Sequence, residues 1–277
     1  MGNEIEEKNN YHPPIGVNID SLYFKYYNSI LFNDFSIKFL PKINTSILGN
    51  NGIGKSTLIK LISGIEKPYS GIISDDKNNN IQKSISYMDQ FNQLLPWLKI
   101  KNNITIGFKL RRENYSYKKL DYLTNILGIN KFLNNLPKEV SGGIKQRTAL
   151  ARTFFEDKPI VIMDEPFTAL DTNTKSKLIK LTKYLVRNKT LILITHDIME
   201  AIELSDQIVI LKGKPAKIDK IFSYEEIMYY KKKDTMIIDL YKKILNTLDI
   251  WNYIKMILKL NIVKSLASFI IIFFILI

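Results

Sequence analysis

Nine consecutive residues, Gly49-Asn50-Asn51-Gly52-Ile53-Gly54-Lys55-Ser56-Thr57, have the types and spacing of a phosphate cradle, fitting the pattern G-x-x-x-x-G-K-[ST]. Glycines at 49, 52 and 54 let the backbone turn tightly and aim several N–H groups at phosphate oxygens. A helix beginning at that point adds its positive end. Lys55 can then reach β- and γ-phosphates, and the Ser56 hydroxyl can ligate Mg²⁺. A ligand-free glycine turn is the bland alternative, and the flanking strand-like NTSIL and helix-like TLIKLISG weigh against it. A second chemical element is Asp164, which ends the apolar run IVIM and can hold a water of a Mg²⁺ shell. Glu165 follows it, points differently, and can polarise a water for attack on a γ-phosphorus. An apolar run closed by Asp-Glu means little alone and gains its meaning from the cradle upstream. A third element is Ser141-Gly142-Gly143 before the helical run QRTALARTFF. Serine suits the N-cap and the glycines expose backbone donors at a positive helix end. This is a second anion cradle, which no single nucleotide can share with Lys55 in one subunit.

Such groups need strand ends and helix starts to carry them. From Val17 to Leu48 the chain reads as short strands with turns at Asn28-Ser29 and Pro41. The run 57–65 has helical spacing and stops near a glycine, and further helices are expected over 118–127 and 145–155. The apolar runs IVIMDEP and TLILITHD read as buried parallel strands that deliver polar groups at their C-terminal ends. The expectation is an α/β fold with a helical insert over about 92–158, a loose leader over 1–16, a domain over 17–230, and a Lys-rich extension over 231–277. No internal repeat is visible. The 277 residues contain no cysteine and two histidines, which excludes disulfide scaffolds, thiol catalysis and a multi-histidine metal centre. Forty Lys+Arg against 27 Asp+Glu give a net charge of +13, which favours anionic partners: nucleotides, nucleic acid or a membrane surface. Runs of Lys, Asn and Ile fit an AT-rich coding bias, so the charge is weak evidence for any one of them. The acidic start MGNEIEEKNN does not read as a secretory signal.

The string VSGGIKQR resembles the LSGGQ or LSGGxxQR signature of the ATP-binding cassette (ABC) ATPases, with Val140 in place of leucine. The resemblance covers roughly Val17 to Leu211. It implies a P-loop NTPase (RecA-like) core with an antiparallel β part and an inserted helical subdomain, using ATP and Mg²⁺. It further implies roles for single residues. Tyr26, 29 residues before Lys55, matches the aromatic residue that stacks on adenine, although Tyr23, Phe24 and Tyr27 are close by. Gln90 in SISYMDQ matches the glutamine that touches Mg²⁺ and the attacking water. Asp171 in TALD matches the aspartate of the loop after the second acidic strand. His196, 31 residues after Glu165, matches the switch histidine that contacts the γ-phosphate. Two copies are expected to pair head-to-tail, each ATP lying between one Lys55 loop and the partner's Ser141-Gly142-Gly143.

A single phosphate loop and no long coiled-coil insert disfavour the ribosome-acting and chromosome-organising branches. LPWLKIKNNITIGF and THDIMEAIELSDQIVIL resemble stretches of the nitrate, sulfonate and taurine importer ATPases, whose relatives serve bicarbonate and thiamine-precursor pyrimidines. That resemblance implies a peripheral subunit at the cytoplasmic face of the inner membrane, working with a separate permease and, through it, a solute-binding protein. Residues 91–108 would receive a helix of the permease, and Trp97 is either its anchor or a core residue. A lipid-transport ATPase and a nucleic-acid or ribosome-associated ATPase are the alternatives, and no nucleic-acid partner is expected. The uncharged end LASFIIIFFILI, as a helix, rises about 18 Å, short of the roughly 30 Å hydrocarbon core. It fits an interfacial membrane contact, a helix packed on a partner, or a drifted end.

Overall fold

The structure, a computed structural model, describes residues 13–168, 170–232 and 234–248. Two sheets organise it. Strands β1 (Val17–Tyr26), β2 (Ser29–Phe39) and β4 (Ser70–Ser74) form an antiparallel sheet in the order β2-β1-β4. Val17 and Ile19 of β1 point inward by alternation, and a bulge at Ser21 (φ 48°) shifts the register so that Leu22 and Phe24 are buried after it. The larger sheet contains β3 (Asn44–Gly49), β5 (Ile85–Met88), β6 (Ile160–Asp164), β7 (Thr190–Ile194), β8 (Gln207–Lys212) and β9 (Lys217–Phe222). Its order is β5-β6-β7-β3-β8-β9, parallel throughout except for β9.

Strands β6, β7 and β8 are apolar on both faces because both are covered. Ile160, Ile162, Ile192 and Ile194 pack toward α1 (Lys55–Ser63) and the antiparallel sheet. Val161, Met163, Leu191 and Leu193 pack toward the helical insert and α6 (Thr172–Val186). That insert consists of α2 (Ile100–Ile104), α3 (Ile106–Arg111), α4 (Tyr117–Ile126) and α5 (Gly142–Phe155). Helix α5 begins at Gly142, three residues before the expected start, because Ser141 caps it by accepting from the Ile144 amide at 3.4 Å.

A third cluster joins β3 and β8 to α7 (Ile198–Leu204), α8 (Tyr224–Tyr230) and α9 (Asp234–Thr247). Leu240, Ile244 and Leu248 recur at helical spacing and are buried against this cluster with Ile198, Ala201 and Ile202. Each fully buried Leu or Ile side chain contributes about 1.5–3 kcal/mol. The first part of the lysine-rich extension is therefore packed helix. The apolar stretch 266–277 lies outside the described residues. Among the described residues no helix is long and apolar enough to cross a membrane.

Candidate phosphate-binding and hydrolysis site

The C-terminal ends of β3, β6 and β7 meet at one cavity of about 880 Å³, lined by the 49–57 loop together with Tyr26, Gln90, Glu165 and His196. The Asp164 strand is not next to the phosphate-loop strand; β7, which ends before His196, lies between them. The loop takes its shape from glycine. Gly52 and Gly54 have φ of 75° and 109°, and a Cβ on Gly54 would meet the ring of Phe32 at 3.1 Å. Gly54 sits at the N-cap of α1 and no side chain caps that helix. The first-turn amides are thus left for an anion. The Ile53 side chain is buried in the core, and alone in the loop this residue is not among those lining the cavity.

Lys55 is buried, and its ammonium donates to the Gly49 and Asn50 carbonyls at 2.7 and 3.2 Å. Burial lowers its pKa, while the Glu165 and Asp164 carboxylates work in the opposite direction. Asp164 is 3% exposed, and burial raises its pKa, with a hydrogen bond from Ser56 countering. Its Oδ1 is buried without a hydrogen-bond partner. A buried orphan carboxylate oxygen beside a serine hydroxyl fits the donor set that a hard divalent cation takes from protein when phosphates supply the rest. No group of three or more His, Cys, Asp or Glu residues that could hold a metal occurs among the described residues.

Glu165 is the convergence point. Gln90 Nε2 donates to its Oε2 at 3.1 Å, and His196 Nδ1 lies 3.3 Å from its Oε1. The Thr168 hydroxyl donates to the Glu165 carbonyl at 3.1 Å. The backbone of Glu165 has φ 46°, a left-handed conformation costly for a residue with a Cβ, and its amide donates to Ile194 O at 2.9 Å. This turn re-aims the side chain away from Asp164. The two neighbouring acids therefore have separate surroundings, one suited to a cation and one to a water.

Tyr26 is 39% exposed at the cavity edge, braced by an edge-on contact with Phe24 at 4.8 Å and by donation to Glu66 Oε1 at 3.3 Å. Tyr27 is 95% exposed and does not line the cavity. Ser141, Gly142, Gly143 and Asp171 are not among the cavity's lining residues. They stand instead at the starts of α5 and α6, where Asp171 caps α6 by accepting from the Thr174 amide at 3.0 Å. A Cβ on Gly142 would meet nothing within 4 Å, so that cradle opens to solvent. Trp97 is 71% exposed, which removes the core alternative. Buried Asn103 fixes its loop, donating to the Leu95 and Leu98 carbonyls at 3.1 and 2.8 Å.

Sequence reasoning missed Thr168, Glu66, Leu31 and Leu248, of which the last two line the cavity. It also missed Arg152 of α5, whose guanidinium donates to the Asn92 and Gln93 carbonyls at 2.7 and 2.9 Å. Leu248 was accessible from the period of α9, whereas Leu31 was not, since alternation breaks at Leu31-Phe32, both buried. Thr168 and Arg152 carry no local signal.

The model of the ABC transporter family matches residues 32–168. The aliphatic sulfonates import ATP-binding protein SsuB of Bacillus cereus is 36% identical over 194 residues, covering 69% of this chain and 76% of that protein. The thiamine import ATP-binding protein ThiQ of Histophilus somni is 38% identical over 202 residues, covering 70% and 94%. The ATP-binding cassette MJ0796, solved as a post-hydrolysis dimer bound to ADP and Pi, aligns with a TM-score of 0.66 at 26% identity, covering 75% of this chain and 98% of that one. The chain belongs to the ATP-binding cassette ATPases of the ABC transporter family. Its α/β core, helical insert and antiparallel part are those of the cassette fold, and it is an ATP-binding, ATP-hydrolysing subunit.

Proposed function

We propose that this chain is the ATP-hydrolysing subunit of an importer of a small solute, acting with a separate permease. The observation that carries the hydrolytic part is Glu165, turned away from Asp164 and held by Gln90 and His196 at the end of the Lys55 cavity. The loop amides and Lys55 bind the β- and γ-phosphates. Ser56, Asp164 and the amide oxygen of Gln90 would hold Mg²⁺, which supplies charge neutralisation on those phosphates. Glu165 accepts a proton from the attacking water as its oxygen bonds to the γ-phosphorus and the bond to the β-phosphate oxygen breaks, releasing ADP. His196 and Gln90 keep the carboxylate and the water in line. Tyr26 stacks on adenine.

The solvent-open Ser141-Gly142-Gly143 cradle supports a head-to-tail pair, with each ATP closed over by the partner, as does the dimeric MJ0796 cassette. Exposed Trp97 on its Asn103-braced loop supports docking of a permease helix on residues 91–108. The chain would then work as a peripheral subunit at the cytoplasmic face of the inner membrane, with a solute-binding protein feeding the permease. Sulfonate and thiamine import relatives stand at 36% and 38% identity, so the cassette carries the motor and selectivity belongs to the permease. The solute class is accordingly a small anion such as a sulfonate, nitrate, taurine or bicarbonate, or a thiamine-related pyrimidine. The lipid-transport and nucleic-acid alternatives gain no support from these relatives. Copurifying the membrane partner and measuring ATP hydrolysis in proteoliposomes with each solute class tests this. Stimulation by one class is expected; a cassette stimulated only by lipid or nucleic acid would overturn the importer reading.

A further inference from the structure

His196 lies on a three-residue segment, 195–197, that is tied down on both sides by groups the hydrolytic reading leaves unassigned. The Thr195 hydroxyl donates to Glu200 Oε2, and the Asp197 amide donates to the Thr195 hydroxyl at 3.0 Å. Asp197 Oδ1 caps α7, accepting from the Met199 and Glu200 amides at 2.8 and 3.2 Å. The remaining oxygens of the two acids converge on one ammonium. Lys175 Nζ is 2.6 Å from Asp197 Oδ2 and 2.6 Å from Glu200 Oε1. Glu200 is only 3% exposed, so its carboxylate depends on that cation. Burial acts against the charge of Lys175, but bonds to Asp197 and Glu200 prevail and hold its pKa above the ordinary value.

Lys175 comes from elsewhere in the fold. It stands in the first turn of α6, where its amide donates to the Asp171 carbonyl at 2.8 Å, and Asp171 is the cap of that helix. The start of α6 and the segment holding His196 are thus joined by two short charge-assisted bonds across 22 residues of chain.

We propose that Lys175 is a positioning residue for hydrolysis, locking the 195–197 segment to the start of α6 so that His196 keeps its place against Glu165. Displacement of the Asp171 end of α6 is passed to His196 through this ammonium. The proposal rests on the reading of His196 as part of the hydrolytic site, and it adds a cause for the histidine's placement.

The test uses the full chain and three variants, Lys175→Met, Lys175→Arg and His196→Ala, with steady-state and single-turnover phosphate release, ATP titration and thermal unfolding. Lys175→Met is expected to lower kcat about 10- to 100-fold, the effect of displacing a group by about 1 Å. KM for ATP should stay within roughly threefold, because the phosphate cradle is untouched. Lys175→Arg retains both ion pairs and should recover most of the rate. In the His196→Ala background, Lys175→Met should cause little further loss, since the lysine acts through the histidine. Wild-type kcat in Lys175→Met, or a loss that adds in full to that of His196→Ala, overturns the proposal. Should Lys175→Met fail to fold, the double variant Lys175→Met/Glu200→Gln removes the stranded buried carboxylate and carries the same expectations. A fully active His196→Ala overturns the hydrolytic reading itself, and is distinguished by that single variant.

Discussion

Replacing Glu165 by glutamine separates binding from chemistry, and the structure gives the size of each part. On the proposed reading the phosphates are bound by the 49–57 loop and by Lys55, whose ammonium is seated on the Gly49 and Asn50 carbonyls. None of these involves Glu165. Removing one negative charge beside a triphosphate site also lowers repulsion, so the Kd for ATP should be unchanged or tighter. The two carboxylate oxygens face different groups, Gln90 Nε2 on Oε2 and His196 Nδ1 on Oε1. A glutamine has one acceptor oxygen and keeps one of these contacts; the other is lost at a cost of about 1 kcal/mol. Loss of the proton acceptor is larger, about 10²- to 10⁴-fold in rate, or roughly 3–5 kcal/mol. Chemistry therefore dominates. Fluorescent-nucleotide titration should give a wild-type Kd while phosphate release falls by at least two orders of magnitude. Size-exclusion chromatography with ATP should show an accumulated dimer. A fall in affinity that matches the fall in rate would refute the assignment, because Glu165 would then be part of the cradle.

Tyr26→Ala should weaken ATP binding about 5- to 50-fold in titration through loss of base stacking, whereas Tyr26→Phe should bind nearly as well as wild type. Ser141→Arg should leave ATP binding to the monomer intact and abolish turnover, with activity in a strictly monomeric preparation counting against a composite site. Leu240→Ala and Ile244→Ala should each destabilise the domain by about 2–5 kcal/mol in thermal or urea unfolding, since both side chains are fully buried. Burial, with Lys183 nearby, pulls the Lys231 pKa down to about 8, from 10.5 unfolded, so the charged form opposes folding below pH 8 and that penalty fades as pH rises toward 10.5. Lys231 Nζ also donates to the buried Ser205 carbonyl at 2.7 Å, a bond that Lys231→Met removes. The measurement is therefore the pH dependence: the variant's Tm relative to wild type should be more favourable at pH 7 than at pH 10.

The parts legible in the sequence are those whose geometry is local. The glycine spacing of 49–57, the Ser141 cap and the Asp164-Glu165 pair each specify a short segment whose backbone chemistry is set by a few neighbours. The closure of Gln90 and His196 on Glu165 is not local: it depends on three parallel strand ends that the sequence separates by 75 and 31 residues. Here the family motif stood in for geometry. Strand order was hidden because β7 enters between β3 and β6 for packing reasons, with its Leu191 and Leu193 serving one layer and its Ile192 and Ile194 the other. The lysines around 231–243 concealed α9, whose apolar residues Ile237, Leu240, Tyr241, Ile244, Leu245 and Leu248 follow a helical period. Counting that period, rather than charge, finds the helix.

The position of α9 bears on what the extension does. Its buried face rests on α7, the helix that Asp197 caps immediately after His196, and Leu248 at its end reaches the lining of the nucleotide cavity. Burial raises the pKa of Tyr241, with the charge of Asp197 adding to the effect, which places this part of α9 near the same segment that Lys175 grips. Helix α7 is thus held from two directions, by an ammonium from α6 and by an apolar face from the C-terminal region. These supports differ in kind. The ion pairs are directional and can transmit a displacement of α6. The apolar contact holds the Ile198, Ala201 and Ile202 face of α7 inward but has no bond that ties the helix to the start of α6. A loss of α9 packing should therefore lower stability while leaving the ratio of kcat between Lys175→Met and wild type unchanged.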